Sequence, residues 1–355
     1  MQGYYYVNKY EADKEYPIIY RTQDSTEIEK EMLFDVNKMA EGHSYFSIDG
    51  FAVSPDNDII AYFANTTGAD VAMLYFKKIS TDEILADSLE QASSVVWEQN
   101  NTLYYTKQAS RTLRTFQVWK HTLFTPQRED VLIYQEDDPE FQVGVGKSLD
   151  KNYIFIGSYS STSSEVRFKK TEEPDDAFRI IHPREPKHKY GISVFENKFY
   201  IVSDKNAPDG KVLITSPEAY QLKHWTEIIP HQAGIMIEDF KPLKNYYAIV
   251  ETENAAERIK IIDLATQKSH YIKFPEEVYS CWILSADDPA RDPNLLRVGY
   301  SSFTTPTTIY DYDITSKKLT VVKKEHLLGF YTNKIYKSER IFATAKDGKQ
   351  IPISL

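Results

Sequence analysis

Residues Phe46 to Asp87 read FSIDGFAVSPDNDIIAYFANTTGADVAMLYFKKISTDEILAD, and this stretch decides the fold. It divides into four short runs, FSIDGFAVSPD, DIIAYFANT, VAMLYFKKIS and DEILAD, separated by turn-forming residues. The runs are short and either continuously apolar or apolar at alternate positions, patterns of pleated strands and not of a helix. Ser, Pro, Asp and Asn in SPDND supply the local hydrogen bonding and left-handed tolerance that reverse a chain. One small sheet of this kind cannot bury both faces alone, so it predicts neighbours of the same design.

The neighbours are there. SSVVWEQNN, TLYYTKQA, FQVWKHTLF and DVLIYQE follow between Ser93 and Glu136, and FQVGVGKSLD, NYIFIGSYSS, EVRFKK and FRIIHPRE between Phe141 and Glu185. Further units run from Lys189 to Gln232, Ile235 to Glu276 and Tyr279 to Glu325. YYYVNKYE, YPIIYRTQ and EMLFDVN supply three strands before Lys38, one short of a full unit. Four-stranded antiparallel units at a period of this length predict an all-β chain folded as a seven-bladed β-propeller with an incomplete first blade. The expected blades span about 1–38, 45–87, 93–136, 141–185, 189–232, 235–276 and 279–325, within a single propeller domain of residues 1–337. A pair of β-sandwiches is the alternative architecture.

Composition narrows the function classes. The 355 residues carry a formal charge of −10, which argues against a nucleic-acid partner. No apolar run approaches the roughly 20 residues of a membrane span, so no membrane partner is expected. Cys281 is the only cysteine, which excludes an internal disulfide, and MQGYYYVNKYEADKEY has no basic and apolar signal-peptide pattern. A cytoplasmic protein is the expectation.

A search for chemistry returns little. No G-x-S-x-G elbow occurs; Gly299-Tyr300-Ser301-Ser302-Phe303 and Gly191-Ile192-Ser193 lack the second glycine and lie in expected strands. Gly144-Val145-Gly146 sits in a strand with no helix after it, so no nucleotide fingerprint is formed. His182 and His188 flank HPREPKH, a stiff loop between blades, and His224, His231 and His270 are scattered over different expected strands; structural roles are expected for all five. The acidic run EDDPE, Glu136 to Glu140, lacks the alternating ligand spacing of a calcium loop. Cys281 is expected to act as a small buried hydrophobe, and the tyrosines of second and third strands, such as Tyr104, Tyr105, Tyr246, Tyr247, Tyr310 and Tyr312, as packing between blades. No catalytic, cofactor-binding or metal-binding residue is expected within these residues.

Longer strings carry a resemblance. EGHSYFSIDGFAVSPDNDIIAYFANTTG (Glu41 to Gly68), YSSTSSEVRF (Tyr159 to Phe168), GYSSFTTPTTIYDYD (Gly299 to Asp313) and SERIFATAKDGKQIPISL (Ser338 to Leu355) resemble the prolyl oligopeptidase family, and within it the oligopeptidase B (protease II) branch. The resemblance implies a serine oligopeptidase in which a propeller caps a C-terminal α/β-hydrolase domain carrying the Ser-Asp-His triad. It implies a cytosolic enzyme that cuts short peptides after Lys or Arg without a cofactor. Residues 338–355 then correspond to a crossover into that hydrolase domain, and no triad residue can be carried over, so these residues alone are expected to be inactive. The expected partners are the hydrolase domain and short basic peptides. Glu165, after the polar turn in SSEVRF, is the candidate for a contact across the domain interface; its plain alternative is a hairpin ion pair with Arg167 or Lys169. A free-standing propeller scaffold and a prolyl-specific relative are the competing functional readings.

Overall fold

The computed structural model describes residues 3–24, 31–69, 71–173, 177–284, 292–325, 327 and 335–355. They form two compact units, Met1–Lys189 and Tyr190–Leu355.

In the first unit, blade 1 has three strands, Tyr5–Lys9, Ile18–Thr22 and Glu31–Asp35. A single helical turn, Val36–Met39, follows, with the Asp35 carboxylate accepting the Lys38 N–H as its N-cap. Blade 2 comprises Ser47–Val53, Ile59–Asn65, Met73–Lys78 and Glu83–Leu89. Blade 3 comprises Ala92–Gln99, Thr102–Gln108, Thr115–Thr122 and Val131–Gln135. Blade 4 comprises Gln142–Lys147, Tyr153–Tyr159, Ser164–Lys170 and Arg179–His182.

In the second unit, blade 5 is built from Tyr190–Phe195, Lys198–Ser203, Lys211–Thr215 and Thr226–Ile229. Blade 6 uses Ile235–Pro242, Tyr246–Glu253, Ala256–Asp263 and Ser269–Tyr271, and blade 7 Ser280–Ile283, Leu295–Ser301, Thr308–Asp313 and Lys318–Lys324. Within each blade, every strand pairs antiparallel with the next in sequence. The fold is thus the all-β, seven-bladed propeller that the repeat predicts, with three strands in its first blade. A separate hairpin, Arg340–Thr344 with Gln350–Ser354, turns through Asp347-Gly348, where Gly348 takes a φ of +83°.

Two of the repeated turns are built identically. Ser54 Oγ donates to Asp56 Oδ1 (2.6 Å) and accepts the Ile59 N–H (2.9 Å), while Asn57 adopts a φ of +65°. In blade 4, Ser148 Oγ donates to Asp150 Oδ1 (2.6 Å) and accepts the Tyr153 N–H (2.9 Å), with Lys151 at +64°. The SPDND and SLDKN strings therefore fix their hairpins by the same side-chain bonds.

Strand alternation distributes the core. On the second strand of blade 2, Ile60, Tyr62 and Ala64 join a cluster with Phe34 and Leu33 of blade 1, while Ala61 and Phe63 join Trp97, Leu103 and Tyr105 of blade 3. Successive side chains thus bind the sheet to both of its neighbours. Val96 and Tyr104 repeat the pattern toward Val143, Ile154 and Ile156 of blade 4. In the second unit Ile249 packs with Tyr200 and Val212 of blade 5, and Ala248 and Val250 with Cys281, Leu296 and Tyr300 of blade 7. Truncating a fully buried ring of these clusters, such as Phe76 beside Trp97 in the cluster of blades 2 and 3, removes about 3–5 kcal/mol.

Candidate functional site

One topological edge of blades 4 and 7 gathers a network of carboxylates and their donors. In a four-stranded meander the turn between the second and third strands shares an edge with the connection that leaves the fourth. Blade 4 shows this directly: Ser164 N–H donates to His188 O (3.0 Å), and Lys187 N–H to Ser163 Oγ (3.1 Å).

The turn itself is built by serine. Ser160 N–H donates to Ser163 O (2.9 Å), and Ser160 Oγ accepts the N–H groups of Thr162 (3.3 Å) and Ser163 (3.0 Å). Glu165 follows it, buried at the start of the third strand. Its Oε1 lies 2.6 Å from an Arg167 guanidinium nitrogen, and its Oε2 accepts the Arg184 N–H at 3.0 Å. The hairpin pairing with Arg167 is present; Lys169 instead reaches Glu98, at 2.7 Å.

Arg184 is the hinge of this network, and the sequence reading did not single it out. Its guanidinium binds both oxygens of Glu136, which also accepts hydrogen bonds from Ser158 Oγ, from Tyr134 OH (2.7 Å) and from Asp138 N–H (3.1 Å). The same guanidinium lies 3.9 Å from the centre of the Phe141 ring, and Arg167 lies 4.1 Å from that of Tyr134. Burial alone would raise the Glu136 carboxyl, but the bonds from Arg184, Ser158 and Tyr134 outweigh it and hold the group at about 2. The EDDPE run is therefore anchored: Arg114 donates to the carbonyls of Asp138 (3.0 Å) and Phe141 (2.7 Å).

Blade 7 repeats the device. Gly157-Ser158-Tyr159-Ser160-Ser161-Thr162-Ser163 aligns with Gly299-Tyr300-Ser301-Ser302-Phe303-Thr304-Thr305, a G-x-x-S-x-T-[ST] pattern that is visible in the sequence once the two blades are superposed. Ser302 builds the same turn, with Ser302 N–H donating to Thr305 O (2.9 Å) and Thr305 N–H to Ser302 Oγ (2.8 Å). Glu276, on the connection before blade 7, stands where Glu136 stands before blade 4. It accepts hydrogen bonds from Tyr300 OH (3.2 Å), Ser302 Oγ (2.9 Å), Thr304 Oγ1 (2.6 Å), Thr305 Oγ1 and Ser338 Oγ (2.9 Å). Burial opposes its ionisation, yet the hydroxyls of Thr304, Thr305, Ser302 and Ser338 hold it at about 2. Ser338 begins the run into the final hairpin, and Arg340 donates to the carbonyl of Asn254, in the turn between the second and third strands of blade 6. The hairpin leaves Phe342 (55% exposed) and Ile351 (50%) open to solvent.

The other candidates fall only in part where the sequence puts them: Ser302 and Phe303 lie in the turn beyond their strand, and His224, in a short 3-10 helix, and His231, in a loop, are not on strands. Gly299 to Ser301 and Gly191 to Ser193 lie inside strands, as do Gly144 and Gly146. His231 faces Asp209 (3.1 Å), and His270 Nε2 lies 2.8 Å from Tyr312 OH, its pKa lowered chiefly by burial. Cys281 is buried in the core shared by blades 6 and 7, and burial, reinforced by Glu257, pushes its thiol up to about 12. What this edge can do chemically is hold charge and position a following segment; among the described residues it presents no nucleophile activated by a base.

Comparison with known proteins places these observations in a family. Residues 1–325 match the family described as "Prolyl oligopeptidase, N-terminal beta-propeller domain". The chain is 30% identical to dipeptidyl aminopeptidase BI of Pseudoxanthomonas mexicana, over 100% of this chain and 51% of that protein. It is 23% identical to Protease 2 of Moraxella lacunata, over 99% and 51%. Among solved structures, oligopeptidase B from Leishmania major superposes with a TM-score of 0.90 at 25% identity, covering 99% of this chain and 51% of the other. Oligopeptidase B from Trypanosoma brucei gives 0.87 at 29% identity, with the same shares. The chain thus spans about half the length of the curated relatives it matches. It belongs to the prolyl oligopeptidase family, whose N-terminal β-propeller domain its residues 1–325 form.

Proposed function

We propose that these residues are the substrate-gating propeller of a serine oligopeptidase of the oligopeptidase B type, one that cleaves short peptides after Lys or Arg in the cytoplasm. The catalytic triad belongs, in this reading, to a C-terminal α/β-hydrolase domain, and the propeller alone does not hydrolyse peptides. The similarity to the Leishmania major enzyme over 99% of this chain is the observation that carries the reading. The absence of a G-x-S-x-G string from the 355 residues supports the division of labour. The charge of −10 supports a basic substrate, which an acidic surface attracts and concentrates.

The edge that carries Glu165, Arg184 and the serine turn faces the hydrolase domain in this proposal. Support comes from blades 6 and 7, where the edge of the same topology binds Ser338 and Arg340 on the way into the final hairpin.

The test is hydrolysis of an Arg-containing fluorogenic peptide by the whole protein and by residues 1–355. Cleavage after Arg by the whole protein alone is expected; activity in residues 1–355 overturns the division of labour. The 30% identity to dipeptidyl aminopeptidase BI favours a second reading, release of dipeptides from a free amino terminus. Peptides with free and blocked amino termini separate the two, because only the dipeptidyl aminopeptidase reading requires the free amine.

A further inference from the structure

His182, Glu185 and His188 lie on the segment that leaves blade 4, and their ligand atoms sit within 4.8 Å of one another. His182 Nε2 is 2.9 Å from Glu185 Oε1, His188 Nδ1 is 3.9 Å from Glu185 Oε2, and the two imidazole rings are centred 5.3 Å apart. Both histidines are buried, whereas Glu185 is partly exposed.

The sequence brings them together by backbone physics. His182 is the last residue of the strand Arg179–His182. In Glu185-Pro186-Lys187-His188, the His188 N–H donates to Glu185 O (3.3 Å) and Lys187 takes a φ of +60°. Proline followed by a left-handed residue is the signature of a type II turn, which places its first and last residues side by side. The turn is fixed to blade 4 by Ser164 N–H on His188 O (3.0 Å), Lys187 N–H on Ser163 Oγ (3.1 Å) and Arg184 N–H on Glu165 Oε2 (3.0 Å). Three ligand-type side chains thus converge on a segment held at several points along its length.

We propose that this cluster is a binding site for a divalent transition-metal ion, Zn2+ foremost. Two imidazoles and one carboxylate form a ligand set that zinc takes in proteins, leaving a fourth position for water. Nitrogen donors select such ions over Mg2+ and Ca2+, which take oxygen ligands. Bonds of about 2.0–2.1 Å require the donor atoms to draw in to about 3.3 Å from one another. Small turns of all three side chains make up that difference, and the partly exposed Glu185 opens the path for the ion. Bound there, the ion joins the end of the fourth strand to the turn, and through Arg184 it stiffens the edge that carries Glu165 and Glu136. The site is independent of the peptidase reading, since it uses no residue that the reading requires to touch substrate.

The experiment is calorimetric titration of the chelator-treated full chain with Zn2+, repeated with Co2+ and read by its visible d–d absorption. One ion per chain in the micromolar range or tighter is expected, undisturbed by millimolar Mg2+ or Ca2+. His182→Gln and His188→Gln are each expected to weaken binding at least tenfold and to remove the Co2+ spectrum. Circular dichroism without metal checks their folding, and Glu185→Ala, at the exposed member, supplies the same test if either histidine variant does not fold. Lack of stoichiometric binding overturns the proposal, and so does wild-type affinity in the folded variants.

Discussion

Ser338 Oγ donates a 2.9 Å hydrogen bond to Glu276 Oε2, a carboxylate 62 positions earlier in the chain. Glu276 already accepts from Tyr300, Ser302, Thr304 and Thr305 of blade 7, so the run into the final hairpin closes onto a carboxylate that the blade has pre-ordered. A carboxylate surrounded by hydroxyl donors is strongly favoured in its charged form, and each charge-assisted bond resists loss more than a neutral one.

Glu276→Gln is expected to destabilise the protein by about 1.5–3 kcal/mol near neutral pH, because an amide offers one acceptor oxygen where the carboxylate offers two. The pH dependence follows from the sign of the shift. The folded group is held at about 2, below its ordinary value of 4.5, so its stabilisation is complete above that ordinary value and declines as pH falls from there toward 2. Urea unfolding of wild type and variant near pH 7 and near pH 3 measures this. The gap between them narrows in acid; a gap that stays constant refutes the assignment.

Arg184 and Glu136 form the equivalent anchor at blade 4, but here a guanidinium joins the hydroxyls. Arg184→Ala strips the buried Glu136 of its cation and is expected to cost about 3 kcal/mol, the lower end for a broken buried pair because Arg184 is itself partly exposed. Adding Glu136→Gln to that variant recovers part of the loss. A double-mutant cycle by chemical denaturation yields the coupling, and additive effects would show that the two residues act separately.

The blades were legible in the sequence because a strand buried on both sides announces itself locally: Ile60 to Ala64 alternates between two neighbours within five residues. The carboxylate anchors were not. Beside the neighbours Tyr134 and Asp138 of Glu136, the two carboxylates take partners between 22 and 62 positions away, and no period of the chain marks such pairs. Glu165 was legible only as far as its local partner Arg167; its bond to Arg184 spans 19 positions and depends on the turn after blade 4. His182 and His188 read as structural residues flanking one stiff loop, because ligand convergence depends on backbone geometry that spacing alone does not specify.

Gly299 explains why a serine-containing string in blade 7 is structural. It pairs in register with Trp282, and a Cβ added at Gly299 would overlap the indole ring. A Cβ at Gly157 would likewise overlap the ring of Tyr159, but Tyr159 is a residue of the same strand and 46% exposed. Gly299→Ala is therefore expected to cost about 1–3 kcal/mol and to shift tryptophan emission, while Gly157→Ala costs less. Equal costs for the two variants would refute the packing argument.

Lys169 offers the strongest test of the buried polar chemistry in the first unit. Its ammonium, 1% exposed, lies 2.7 Å from Glu98 Oε1 and 3.3 Å from Tyr104 OH, and Lys120 reaches the second Glu98 oxygen at 2.9 Å. Glu98 belongs to blade 3 and Lys169 to blade 4, so a pair of buried charges crosses between two sheets that also share an apolar cluster. Removing one partner leaves the other desolvated and only partly compensated, which costs more than the pair contributes relative to a fully apolar filling. Lys169→Met is expected to destabilise by about 3 kcal/mol, moderated by the remaining Lys120 contact. Lys169→Met with Glu98→Gln is expected to be more stable than Lys169→Met alone, because no buried carboxylate is left facing the methionine. Thermal and urea unfolding of the two variants decide the matter: if the double variant is the less stable, the residual charge on Glu98 is not what makes the single substitution costly.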